Sequence, residues 1–228
     1  MKRIALIVGA GPGLSASLAR ALAKRAHHVV LAARDTSDLR DLASEVGATT
    51  IDCDASDRRD MASLFERVDA LDGTLEVAVY NASHRVRGPI AELDPVAVEA
   101  AISVSEYGAF LMAHHAAKRM LVKNSGALLF TGASAGVKGF AESAPFAMGK
   151  FALRGLCQSL ARELHPKGIH VGHIVIDGGI ADRSSPDAGH ADDMLDPGEI
   201  AKSYMALIDQ HRSAWTSEIE IRPWVERF

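Results

Sequence analysis

Residues 3–26, RIALIVGAGPGLSASLARALAKRA, decide the fold. The run RIALIVGA (3–10) is continuously apolar and of strand length, the pattern of a strand buried on both faces. LSASLARALAKRA (14–26) is rich in helix formers. Between them stand Gly9, Gly11, Pro12 and Gly13, with Leu14 opening the helix. Glycines there let the chain turn sharply and let a diphosphate approach the backbone, where amides and the positive end of the helix can hold it. A tight strand–helix turn uses glycine for its own geometry as well. The setting, after a buried strand and before a helix, is the one a nucleotide-binding turn requires.

The same alternation continues along the chain. HVVLAA (28–33), ATTIDC (48–53), LEVAVYN (75–81), GALLFTG (126–132), IHVGHIVI (169–176) and AWTSEIEI (214–221) carry strand signals, and helix-period segments lie near 37–46, 57–70, 94–122, 145–164 and 197–211. Strand–helix alternation implies right-handed crossovers and a parallel sheet covered on both faces. The expectation is a single doubly wound, Rossmann-like α/β domain over residues 1–228, with a parallel seven-stranded sheet. The aperiodic stretch DGGIADRSSPDAGHADDMLD (177–196) is expected to be a loop serving as a substrate lid.

Composition narrows the function classes. Of 228 residues, 48% are hydrophobic and 24% charged, with a formal net charge of −4, which offers no basic footprint for nucleic acid or an anionic membrane. Aromatics, at 5%, are too sparse for base-stacking platforms. Cys53 and Cys157 belong to no CxxC or Cys/His cluster, so no metal is expected, and two buried thiols suit a reducing cytoplasm. The apolar run at the N-terminus is short and ends in glycines, so it reads as a first strand rather than a signal peptide or a membrane span. The partner expected is a small-molecule substrate.

On further residues the chain resembles the short-chain dehydrogenase/reductase family. The family's opening TGxxxGxG stands here as Val8-Gly9-Ala10-Gly11-Pro12-Gly13-Leu14-Ser15, with Val8 and Ser15 as departures that leave the backbone amides in place. CDASD (53–57), YNAS (80–83), GKFALRGLCQSLARELHPKGIHV (149–171) and SAWTSEIEIRP (213–223) resemble later family segments. The resemblance implies that Asp54, with Ala55 beside it, meets the adenine amino group, and that Asn81, Ala82, Ser83 and Val104 line the cofactor. It extends more loosely to Gly178, Gly179 and Ile180, because IDGGI replaces the usual Pro-Gly. Asp54 and Asn81 also have a plain reading as turn residues satisfying their own backbone. At the end of the second strand, LAARD puts Ala33 at the family's acidic position and Arg34 next to it. A guanidinium there pairs well with a 2′-phosphate, so NADP(H) is expected. NAD stays open, because Asp35 follows and reaches the ribose if the turn is shifted.

The family's working residues are an Asn, a Ser, and a Tyr and Lys four apart. In this chain the corresponding positions carry Ser105, Ala133, Phe146 and Lys150. The Tyr is the family's acid/base, the Ser holds the substrate oxygen, and the Lys binds the nicotinamide ribose and lowers the Tyr pKa. Only Lys150 is retained, on the helix face it shares with Phe146. The substitutes nominated are His84, an imidazole on a loop entering the crevice, and Ser134, if the fifth strand bulges; each also has a plain reading, His84 as a loop residue and Ser134 as a strand-end cap. Asp177 lies at the same edge, Tyr107 is expected to face elsewhere, and Arg85 and Arg87 favour an anionic substrate or are simply solvated. The expected function is hydride transfer between NADP(H) and a carbonyl/alcohol small molecule with an atypical proton donor. The alternative is a catalytically impaired NAD(P)-binding protein acting as a sensor or partner subunit. A homodimer or homotetramer is implied by the resemblance.

Overall fold

The computed structural model describes residues 1–181 and 193–226. Seven parallel strands form one sheet: β1 (Lys2–Val8), β2 (His27–Ala33), β3 (Thr49–Asp52), β4 (Gly73–Tyr80), β5 (Gly126–Thr131), β6 (Ile169–Ile176) and β9 (Glu218–Ile221), in the order β3-β2-β1-β4-β5-β6-β9. Two-residue strands β7 (Gly179–Ile180) and β8 (Met194–Leu195) pair separately. The helices are α1 (Leu14–Lys24), α2 (Arg40–Val46), α3 (Arg58–Asp69), α4 (Pro95–Ile102), α5 (Gly108–Lys123), α6 (Ala144–Leu164) and α7 (Pro197–Ile208).

Side chains alternate across each strand and feed two cores. Ile4, Leu6 and Val8 of β1 join one built with α3, α5 and α6. Ala5 and Ile7 join the other, built with α1, α2 and α7. Both faces are covered, which is why β6 is buried along its whole length and β1 from Ile4 to Val8. Helix starts follow the sequence closely. Asp57 and Asp94 accept the first free amides of α3 and α4, as Asp196 does for α7, and Pro95, Pro145 and Pro197 sit in first turns.

The segment expected as one helix over 94–122 is interrupted. Ser103–Tyr107 form a π-turn between α4 and α5. Its cause lies across the core, where the buried Tyr80 hydroxyl donates to the Val104 carbonyl and Gly108 leaves room for that hydroxyl. By length and composition Pro95–Lys123 is apolar enough to cross a membrane, yet Ala109, Met112, Ala116 and Met120 are buried against the sheet. The strand expected over 214–221 begins only at Glu218. Trp215, which looks strand-like, instead stacks 4.8 Å from the His170 ring and donates to the Gln210 carbonyl.

The strand order reverses between β1 and β4, and at that reversal the carboxyl ends of the strands open a crevice. Gly9 closes its floor. It has φ +83°, and a Cβ there would stand 2.7 Å from Ala82 Cβ and closer still to the Ala82 nitrogen. Gly9→Ala is therefore expected to cost roughly 3 kcal/mol of stability or more, read as a lowered midpoint of urea unfolding.

Candidate active site

The crevice has a volume of about 570 Å3 and is walled by Gly9 and Ala10, by Ala33–Asp35, by Cys53–Ala55, by Asn81–His84 and by Val104. Expected contacts Arg34, Asp54, Ala55, Asn81, Ala82, Ser83 and Val104 thus meet in one wall, with His84 beside them. Asn81 is tied inward: Nδ2 donates to Ser15 Oγ at 2.8 Å, and Ser15 Oγ donates to the Gly9 carbonyl at 3.1 Å. Ser15, in place of the family's last glycine, is a buried strut that stiffens the turn, a role its substitution pattern did not announce. Asp54 spends one carboxylate oxygen on the Ser56 amide and hydroxyl. The plain turn reading therefore holds for that oxygen, while the residue still lines the crevice.

Gly11 has no positive φ, and a Cβ added to it would meet no atom within 4 Å, so the protein's own packing does not require glycine there. The space belongs to whatever approaches the turn. Leu14 buries its side chain in the second core, and its amide begins α1 without an intrahelical acceptor. Pro12 and Gly13 border a different hollow, between α1 and α7. Gly178, Gly179 and Ile180 do not line the crevice: the two glycines are exposed, and Ile180 packs on the second core. The expected lid, 177–196, falls partly at 182–192, outside the described residues. Among the described residues no His/Cys/Asp/Glu group is arranged to hold a metal.

Arg34 and Asp35 are separated by their partners. Asp35 Oδ1 accepts the Ser37 amide at 2.8 Å, and that bond holds its carboxyl below the usual range, turned back on its own segment. Arg34 is exposed in the crevice wall. This donor set fits a nucleotide whose ribose carries a 2′-phosphate better than one with a free 2′-hydroxyl.

Beyond the wall lies Lys150, 3% exposed, whose Nζ donates to the Thr131 carbonyl at 2.8 Å. Burial is the main cause that pulls its pKa down to about 8, with Arg85 adding to it. Phe146, in the family's Tyr position, is 7% exposed, and its ring centroid is 5.7 Å from Lys150 Nζ and 4.3 Å from Arg85 Cζ. Sequence reasoning gave Arg85 as a loop charge that favours an anionic substrate or is simply solvated; its place over Phe146 was not foreseen, because a contact across 61 positions leaves no local signal. Ser105 is buried with an unpaired Oγ, and its Cβ faces Gly149, where an added Cβ would be 2.7 Å away. Ala133 is extended, and Ser134 starts a 3-10 turn whose Gly136 abuts the Lys150 backbone. No bulge turns Ser134 into the strand, and its hydroxyl makes no hydrogen bond among the described residues.

Other nominees are engaged elsewhere. Asp177 is buried and faces Lys138 at 4.0 Å and Arg222 at 3.4 Å. Tyr107 stacks on Phe110 at the outer surface. Tyr204, whose hydroxyl bonds Thr131 Oγ1 at 2.7 Å, belongs to the second core on the far side of the sheet from α6. Among the described residues no phenol replaces the missing one.

A doubly wound sheet with a glycine turn at its switch point and a retained buried lysine defines a dinucleotide-type α/β protein. Residues 3–182 match the model of the short chain dehydrogenase family, and the chain belongs to that family of oxidoreductases. A short-chain dehydrogenase from Rhodopseudomonas palustris is similar at 31% identity and TM-score 0.85, covering 97% of this chain and 99% of that one. A metagenomic short-chain oxidoreductase in complex with NADP is similar at 27% identity and TM-score 0.85, covering 98% of each chain. The cis-4-hydroxycyclohexanecarboxylate dehydrogenase of Sinomonas cyclohexanicum is 30% identical over 178 residues, 76% of this chain and 72% of the relative.

Because the folded pKa of Lys150 lies below its unfolded value, its charge costs stability fully below pH about 8, and the cost fades as pH rises toward the unfolded value. Lys150→Met is expected to raise Tm at pH 6.5, by roughly 2–5 °C. The gain should shrink above pH 9 when thermal unfolding is followed across that range.

Proposed function

We propose that the chain is an oxidoreductase that moves hydride between NADP(H) and a carbonyl/alcohol small molecule, with Lys150 as proton donor in place of the missing phenol. The observation that carries this reading is the buried Lys150 ammonium, held by one carbonyl beside the Phe146 ring. When bound, the nicotinamide supplies the hydride. Lys150 then gives a proton to the carbonyl oxygen as the alcohol forms, becomes the neutral amine, and regains a proton from water. Burial supports the role, since a lysine whose pKa is drawn to about 8 loses its proton near neutral pH far more readily than an ordinary one. Gly9, Gly11 and the first amides of α1 would hold the diphosphate, and Pro12, Gly13 and Leu14 shape that turn. Arg34 would hold the 2′-phosphate. Gly178, Gly179 and Ile180 remain candidates for contact only if the segment after β6 closes over the crevice. His84 and Ser134 are the reserve donors, one in the crevice wall and one in the turn against α6.

Two supporting features bear on the setting. Phe110, Met148 and Phe151 are exposed apolar side chains on α5 and α6, which supports a second copy covering them. Both cysteines are free and buried, in keeping with a reducing cytoplasm.

A second reading, a nucleotide-binding partner subunit without turnover, is favoured by the substitutions at Ser105, Ala133 and Phe146 and by the guanidinium lying over Phe146. Calorimetric titration with NADPH followed by turnover on a carbonyl panel separates the two. The first reading expects binding with turnover, and a gain of about 10²-fold or more in Phe146→Tyr. Binding without turnover in both proteins leaves the second reading. Carbonyl reduction should fall as pH rises through about 8, where Lys150 loses its proton, while the reverse oxidation should rise. Arg34→Ala is expected to weaken NADPH about 10–100-fold and NADH by less than about 3-fold, measured as dissociation constants.

A further inference from the structure

Among the described residues, Arg85 is a cation with no counter-ion beside it. Among the described residues neither it nor Arg87 has a carboxylate within ion-pair distance, and the charges that act on Arg85, those of Arg87 and Lys150, are both positive. What holds it is the Phe146 ring face, 4.3 Å from Cζ. Lys150 approaches the same ring at 5.7 Å, and the loop that carries both arginines is stitched to the segment before α6 by the Gly88 amide and the Glu142 carbonyl. Two positive charges, Arg85 and Lys150, therefore meet at the ring where the family's reacting hydroxyl would stand, and Arg87 acts on Arg85 from the same loop. Repulsion among them is unfavourable in the protein alone.

A guanidinium stacked on a ring keeps its in-plane N–H fork free, and that fork matches a carboxylate bidentately. A phenyl ring provides the platform with no hydroxyl to be desolvated beneath the guanidinium. We propose that Arg85, laid on Phe146, grips a carboxylate of the substrate, so that the site takes carboxylate-bearing alcohols and ketones in preference to neutral ones. Loss of the phenol and capture of the guanidinium are then one change: position 146 has passed from moving a proton to positioning an anion anchor. This deepens the oxidoreductase reading and rests on it for the identity of the bound molecule as substrate.

The test uses the full chain saturated with NADP. Two acids, cis-4-hydroxycyclohexanecarboxylate and 4-hydroxypentanoate, are each titrated calorimetrically beside their methyl esters. At least one acid should bind about 10–100-fold more tightly than its ester. Arg85→Gln should bring acid and ester within about 3-fold of each other without altering NADP affinity, whereas Arg87→Gln should keep most of the preference. Phe146→Leu, which retains apolar volume but not the ring face, should lower the acid-to-ester ratio by about 3-fold or more. Equal affinity for acid and ester, a preference that survives Arg85→Gln, or no binding of either acid overturns the proposal. Acid binding without reduction of NADP leaves the anchor standing and defeats hydride transfer. Equal turnover of acid and ester does the reverse.

Discussion

A single buried ammonium, Lys150, held by the Thr131 carbonyl at 2.8 Å, is the constraint on which the rest of this site depends. It joins α6 to the end of β5, so the helix cannot slide along the sheet without stranding a charge in an apolar wall. Transferring such a charge from water is costly unless it is well paired, and one carbonyl is a sparse partner. The protein accepts that cost at the one position of the family's four working residues that it keeps.

The neighbours of Lys150 show how the pocket has been rearranged around it. Phe146 presents its ring both to Arg85, at 4.3 Å, and to Lys150, at 5.7 Å. Ser105, smaller than the residue it replaces, packs against Gly149 and leaves its hydroxyl unpaired. The result is a centre with two cations at the ring, Arg85 and Lys150, beyond the crevice wall. Stiffness in that crevice comes from the chain Asn81–Ser15–Gly9, which substitutes a hydrogen-bonded strut for the flexibility of a third glycine.

Much of this was legible in the sequence because it is local or periodic. Continuous apolar runs announced a sheet covered on both faces, the glycines after β1 announced the turn, and the spacing of Phe146 and Lys150 announced the shared helix face, while the missing hydroxyl is what the family resemblance implied. What could not be read depends on contacts between distant positions. The π-turn at Ser103–Tyr107 goes with the bond from Tyr80, on another strand, which the helix-period pattern of the segment does not announce. Trp215 reads as strand by propensity but serves as a prop for His170. Arg85 is open in the sequence between an anion-favouring and a solvated charge, and only the fold brings Phe146 beneath it. Asp35 and Arg34 compete as neighbours in sequence, and only the Ser37 amide, by engaging the carboxylate, separates them.

The central claim is that Lys150, not a hydroxyl, is the group whose proton is labile near neutral pH. Its most direct test is an NMR titration of the Lys150 side-chain amine, assigned by comparison with Lys150→Met, in the NADP-saturated protein. The expected midpoint is near pH 8, set apart from the other lysines. A midpoint above pH about 10, the range of an ordinary solvated lysine, would contradict it.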